Sequence, residues 1–178
     1  MNRMGLFGCG VVGVTADGCS GITLTDSDVY ECSSSAVGVY NCSDVVIFGC
    51  RIYSIGDKEY GGYIYFTDVN GRPPEQLEHD MKLWWVHDEA LIGALLAYSI
   101  TGEQKYWDLF EKVHAYSFGH FADKECGEWY GYLHKDGTVS HTQKGSMWKG
   151  PFHYPRMLMN MEMLFEHLEA GKQVTSLL

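Results

Sequence analysis

The chain has 178 residues, 46% hydrophobic and 20% charged, enough to bury a core in one ordinary domain or two small ones. A formal net charge of −10, with 13 Lys and Arg against 23 Asp and Glu and no basic cluster, excludes a nucleic-acid surface. No run of about 18 apolar residues occurs, so no membrane span is expected, and the apolar, Gly-rich stretch from Met4 to Val14 lacks the marks of a targeting segment.

Residue types are unevenly spread. Cys9, Cys19, Cys32, Cys42 and Cys50 come early, whereas every His, Trp and Lys follows Gly56. Two kinds of polypeptide are therefore expected to meet near residues 54–57, giving parts 1–56 and 57–178.

In the first part, Cys19 to Ile55 overlays on itself with a period of 23: Cys19-Ser20 on Cys42-Ser43, Ile22 on Val45, Leu24 on Ile47, Val29-Tyr30 on Ile52-Tyr53. Alternating runs such as Ile22 to Thr25 and Val45 to Phe48 read as strands between Ser, Gly, Asn and Asp turns. A repeat of this length predicts a solenoid, and the pattern resembles a short right-handed parallel β-helix with small or thiol side chains stacked inside. Solenoid coils bury their apolar faces only against neighbours, with about three usually needed, so an exposed open end is expected. No Cys-x-x-Cys pair appears, which argues against zinc. Buried stacked thiols are expected, with disulfides as the alternative in an exported chain.

The second part changes period. Leu91, Ala94, Leu95 and Tyr98 fall at helical spacing, and Thr101-Gly102 supplies a stop. Thr101 with Gln104 forms a capping-box pattern for a second helix whose apolar face runs through Tyr106, Leu109, Phe110, Val113 and Tyr116 or Ser117, and the two helices should pack as a hairpin. Glu128 to Leu133, followed by Lys135-Asp136-Gly137, reads as a strand entering a tight turn. A third helix is expected from Pro155 through Leu158, Met161, Leu164, Phe165 and Leu168 to Gly171.

Two aromatic-flanked runs carry acid/base groups: Lys82-Leu83-Trp84-Trp85-Val86-His87-Asp88-Glu89, and Trp148-Lys149-Gly150-Pro151-Phe152-His153-Tyr154-Pro155-Arg156. A helix starting near Trp85 sets Trp85 and Glu89 on one face, an indole able to stack on a ring beside a carboxylate. His153, just before a helix, suits proton transfer near neutral pH without large tuning. His79, His114, His120, His134, His141 and His167 form no metal-binding spacing, so no metal is expected.

Together with Gly61-Gly62, Phe66-Thr67-Asp68, Gly71, Gly127-Glu128-Trp129-Tyr130-Gly131-Tyr132 and Lys144-Gly145, these runs resemble, in order, the N-acylglucosamine 2-epimerase (renin-binding protein) family over about residues 57–168. The resemblance implies a mainly α second part: a partial (α/α)6-barrel, or α/α toroid, with short β-hairpins, preceded by the β-helix-like segment. It implies an isomerase acting at C2 of an N-acyl hexosamine, interconverting GlcNAc and ManNAc. His153 becomes one of the acid/base pair and Glu89 the essential carboxylate. Trp85, Arg156, His87 and Trp148 become substrate-binding residues, His87 standing where cellobiose epimerases tend to carry glutamine. The same resemblance implies no required cofactor, an ATP effector, a homodimer and a cytoplasmic setting.

Two departures stand out. Pro151 replaces a cysteine that many relatives carry. The family's second catalytic histidine and an arginine lie upstream of the matching segment, where this chain has its repeat. A fragment or fusion, weakly active or inactive alone, is therefore expected. The alternatives are a carbohydrate-binding β-helix protein with a helical accessory module, or a structural fragment that pairs with itself or a missing partner.

Overall fold

Strand-forming side chains alternate with turn residues through the early sequence, and the computed structural model, which describes residues 5–7, 12–30, 35–48, 50–53, 57–66 and 77–171, resolves them into short parallel ladders. The chain divides into two units, Met1–Lys58 with Ile64–Asp80, and Glu59–Tyr63 with Met81–Leu178.

The first unit contains β1 (Gly5–Phe7), β2 (Val12–Asp17), β3 (Thr23–Thr25), β4 (Asp28–Tyr30), β5 (Ser35–Tyr40), β6 (Val46–Phe48) and β7 (Arg51–Tyr53). They form three parallel ladders, β1-β4-β7, β2-β5 and β3-β6. Gly5 lies opposite Asp28, Val12 opposite Ser35 and Thr23 opposite Val46, an offset equal to the sequence period of 23. Corners between strands take the left-handed backbone at Asp26, Asn41 and Asp44, residue types that tolerate it. Equivalent corners are tied together: Asn41 Nδ2 donates to Asp17 Oδ1 at 3.0 Å, and Ser20 Oγ to Asp44 Oδ2 at 3.2 Å.

Leu24, Ser27 and Val29 are buried, but Val46, Ile47 and Phe48 remain 50%, 44% and 72% exposed, so β6 leaves an apolar edge in solvent. The expected stack of buried thiols is corrected. Cys19 is exposed and Cys42 and Cys50 are half-buried; all are free, and each donates to a main-chain carbonyl, Asp17 at 3.1 Å, Tyr40 at 3.0 Å and Leu24 at 3.3 Å respectively. Cys19 and Cys42 each stand two residues past the end of β2 and β5, at corners rather than on strand positions. Cys9 and Cys32 lie outside the described residues, as do Thr67, Asp68 and Gly71.

The second unit contains β8 (Lys82–Leu83), α1 (Trp84–Thr101), α2 (Gln104–His120), β9 (Tyr132–Leu133) and α3 (His153–Glu169). α1 packs against both α2 and α3. Leu91, Leu95, Phe110, Val113, Met157, Met161 and Leu164 form the shared core, each burial worth roughly 1.5–3 kcal/mol. Gly102 closes α1 in the left-handed conformation with its N–H on Tyr98 O at 2.7 Å, and the chain turns directly into α2.

The capping box is corrected: Thr101 is the last residue of α1, and Glu103 takes the N-cap position of α2 without a side-chain capping bond. The connection is too short to release Thr101, whose Oγ1 donates back to Ala97 O at 2.7 Å and accepts Glu103 N–H at 3.2 Å. The predicted strand from Glu128 contracts to Tyr132–Leu133, because Gly127 and Glu128 both take positive φ. β9 pairs antiparallel with β8, and Gly131 O accepts Trp84 N–H at 3.1 Å, so β9 fixes where α1 begins. α3 starts at His153 rather than Pro155, which sits in the first turn where its missing N–H costs no helical bond.

Gly62 is a packing requirement. Its φ is +68°, and a Cβ there would stand 2.5 Å from the Tyr116 ring and 2.9 Å from His87 Nε2. Gly62→Ala is expected to destabilise the helical unit by about 1–3 kcal/mol, read as a lower urea midpoint; an unchanged midpoint would refute the close approach.

Candidate active site

Because β8 leads straight into α1, the first two turns of that helix lie against the start of α3. Trp85 and Glu89, one turn apart, both reach His153, the first residue of α3. His153 Nδ1 lies 2.9 Å from Glu89 Oε1, and the Trp85 ring is 5.7 Å from the imidazole at 36°. The Arg156 guanidinium, one turn further along α3, donates to the same Glu89 oxygen. Trp84 and Phe152 approach the imidazole edge-on at 6.5 Å and 4.9 Å.

A carboxylate oxygen that already accepts from a guanidinium can only accept from His153 as well. Nδ1 therefore carries a proton, and it is Nε2 that holds the lone pair whenever the ring is neutral. The His153 and Glu89 side chains are 31% and 37% exposed, so the pair is reachable from outside. Arg156 also lies 5.3 Å from the Phe152 ring centre, which holds the guanidinium over an aromatic face.

His87, read from the resemblance as substrate-binding, lies in the core. It is fully buried, with Nδ1 2.8 Å from Leu83 O and Nε2 accepting Tyr63 N–H at 3.1 Å. Its ring stacks on Tyr116 at 5.5 Å and meets Phe121 at 4.8 Å. Both nitrogens serve the main chain, and burial holds the imidazole neutral, lowering its pKa to about 4. Trp148 is 73% exposed and makes no ring contact with His153 among the described residues.

Two buried polar groups near the site, Asp88 and Lys149, were not assigned a catalytic or binding role from sequence. Asp88 is fully buried, and desolvation raises its carboxyl to about 8, with the neighbouring Glu89 adding to the shift. Lys149 is buried, pairs with Glu128 at 2.5 Å and lies 5.8 Å from the Trp84 ring centre. The sequence signal was available for Asp88: positions 84, 88, 91 and 95 form one buried stripe of α1, on which a carboxylate is anomalous.

The loop between β9 and α3 is braced from below. Lys144 pairs with Asp123 at 2.5 Å and donates to Gly127 O at 2.6 Å. Lys144, with the N–H groups of Cys126 and Glu125, holds the Asp123 carboxyl well below the usual range. A cleft of about 270 Å³ is lined by Glu128, Lys144, Lys149, Pro151, Tyr154 and their neighbours, and neither Glu89 nor His153 lines it. Reactive geometry therefore identifies the site better than concavity does. No group of three or more His, Cys, Asp or Glu able to hold a metal occurs among the described residues.

A family model described as N-acylglucosamine 2-epimerase (GlcNAc 2-epimerase) matches residues 49–153. N-acylglucosamine 2-epimerase of Bos taurus is 48% identical over 112 residues, covering 63% of this chain and 26% of that protein. The Mus musculus protein of the same name is 49% identical over 108 residues, covering 61% and 26%. A crystal structure of D-mannose isomerase superposes with a TM-score of 0.52 at 24% identity, over 62% of this chain and 28% of that one, a likeness of fold alone. The chain thus spans about a quarter of the length of the curated relatives it matches. Since the matched segment exceeds half of the residues and holds Glu89 and His153, the chain belongs to the N-acylglucosamine 2-epimerase family.

Proposed function

We propose that the helical part carries one acid/base half of a sugar 2-epimerase, with His153 as the base that removes the C2 proton of an open-chain N-acyl hexosamine. The observation that supports this most is the shared Glu89 oxygen holding both His153 and Arg156. A proton on C2 is acidified by the neighbouring C1 aldehyde, because the resulting carbanion delocalises as an enolate. His153 Nε2 accepts the proton, and the Nδ1–H bond to Glu89 steadies the imidazolium that forms; such a base contributes about 10²–10⁴-fold. Arg156 keeps Glu89 in place, and the Trp85 face offers a stacking surface for the sugar carbons. We assign His87 to support beneath the site and Trp148 to its rim.

One base works from one face. Returned from that face, a solvent proton restores the original configuration, so the chain alone should exchange C2–H with solvent without much interconversion. Incubation with N-acetylmannosamine in D2O, followed by proton NMR, is expected to show slow deuteration at C2 with retained configuration, abolished by His153→Ala. Exchange no faster than the buffer blank would defeat the reading.

The proposed architecture is a partial α/α barrel, supported by the hairpin of α1 and α2 and by α3 packed on α1. A short β-helix-like segment accompanies it, supported by the constant 23-residue register. The family match, residues 49–153, covers α1 and α2 and ends at the first residue of α3, leaving out most of the repeat, so the sugar-binding β-helix alternative is set aside. No helix among the described residues is long and apolar enough to cross a membrane.

A further inference from the structure

Two residues beside Glu89, its chain neighbour Asp88 and its ion-pair partner Arg156, carry buried polar atoms with unused hydrogen-bonding capacity. Both oxygens of fully buried Asp88 lack a hydrogen bond among the described residues, and so does the buried Nε–H of Arg156. An unpaired buried carboxyl is costly, and so is an unpaired guanidinium N–H. The ionisable groups facing Asp88 are Glu89 from its own helix, Glu128 and Lys149 from the segment between α2 and α3, and Tyr154 and Arg156 from α3. Lys149 is held by Glu128 at 2.5 Å. Arg156 is held by Glu89 through a terminal nitrogen only, leaving Nε–H unused.

We propose that Asp88 is a positioning residue for the Glu89–His153 pair, acting as a second carboxyl station that draws the Arg156 guanidinium away from Glu89 when Asp88 gives up its proton. With Asp88 protonated, Arg156 stays on Glu89 and the carboxylate is divided between guanidinium and imidazole. Once Asp88 releases its proton to solvent, a second anion competes for the same cation, and Glu89 serves His153 with less competition. Adjacent helix residues point in different directions, so the Asp88 and Glu89 carboxyls do not merge into one site. Lys149 adds to the attraction on Asp88 without releasing Glu128.

This deepens the epimerase reading, since it concerns the same pair. Its test reads the guanidinium directly, so a failure of proton exchange and a failure of the two-station arginine are seen separately. In a chain labelled with ¹³C and ¹⁵N, the Asp88 carboxyl carbon and the Arg156 Nε–H are followed by NMR from slightly acidic to mildly alkaline pH. Both signals are expected to move with one midpoint near 8. Tyr154, held above its ordinary value of 10.0 by burial, does not titrate in that window. Asp88→Asn should abolish the Arg156 movement, and Glu89→Gln should shift the Nε–H at every pH.

An Asp88 carbon that titrates like a surface carboxylate would overturn the proposal, and so would an Arg156 curve unchanged by Asp88→Asn. If Asp88→Asn does not fold, the unsubstituted chain decides alone: different midpoints for the two signals, or a motionless Nε–H, refute the second station.

Discussion

Glu89→Gln is expected to slow His153-dependent C2 exchange by about 10²–10³-fold while leaving the helical fold intact. In the proposed reaction the carboxylate would do two things that a neutral amide does not: fix the proton on His153 Nδ1, 2.9 Å away, and balance the imidazolium formed during proton removal. An amide can donate as readily as accept, so the imidazole is free to take the tautomer whose lone pair faces inward. In a buried triad, swapping the orienting carboxylate for its amide lowers turnover by about 10⁴-fold. The smaller figure here reflects a half-exposed pair, where water competes with both groups. Glu89→Asp keeps the charge at shorter reach and should recover part of the rate. Nitrogen chemical shifts of His153 should show a single Nδ1–H tautomer in the parent and a mixture in Glu89→Gln. A Glu89→Gln rate within about threefold of the parent would remove Glu89 from the mechanism.

Much of this was legible in the sequence, for identifiable reasons. The register of the first unit follows from its period, because parallel coils must place equivalent residues one above another; hence Thr23 faces Val46 and Asp28 faces Arg51. The period says nothing about which residues face inward, and Cys19 and Cys42 proved to sit at corners. Helix spacing located α1, α2 and α3, while local capping chemistry failed at Thr101, where a very short connection outranked a favourable side-chain pattern. Glu89 and His153 could be paired from their motifs although 64 residues separate them. The burial of His87, Asp88 and Lys149 was harder to read. Each helix residue turns by about 100°, so which neighbour of Glu89 points inward depends on where α1 starts, and that is fixed by the β8–β9 pairing rather than by α1 itself.

The consequence of that burial is a second large effect, visible in stability rather than turnover. His87 and Asp88 are adjacent, fully buried and both shifted toward their neutral forms, one to about 4 from 6.5 and the other to about 8 from 3.8. Between pH 6.5 and 4, unfolded His87 binds a proton that the folded form refuses, so its contribution is complete above pH 6.5 and falls as pH drops toward 4. Over that window the loss is about 3 kcal/mol.

Asp88 runs the other way. Its folded form holds a proton that the unfolded chain releases above 3.8, so its contribution is complete below 3.8 and is lost as pH rises to about 8. The two slopes are equal and opposite where the windows overlap, and the parent should show little net response from this pair between pH 4 and 6.5. Asp88→Asn removes one side of the balance without removing volume. Its urea midpoint should therefore fall steeply from pH 6.5 to 4, by the equivalent of about 3 kcal/mol relative to the parent, whereas the parent alone should weaken from pH 6.5 to 8. Carboxylates elsewhere, Asp123 and Asp136 among them, are common to both proteins and cancel in the difference. Parallel stability curves for parent and Asp88→Asn across this range would show that Asp88 is ionised in the folded chain, and the neutral pair would have to be abandoned.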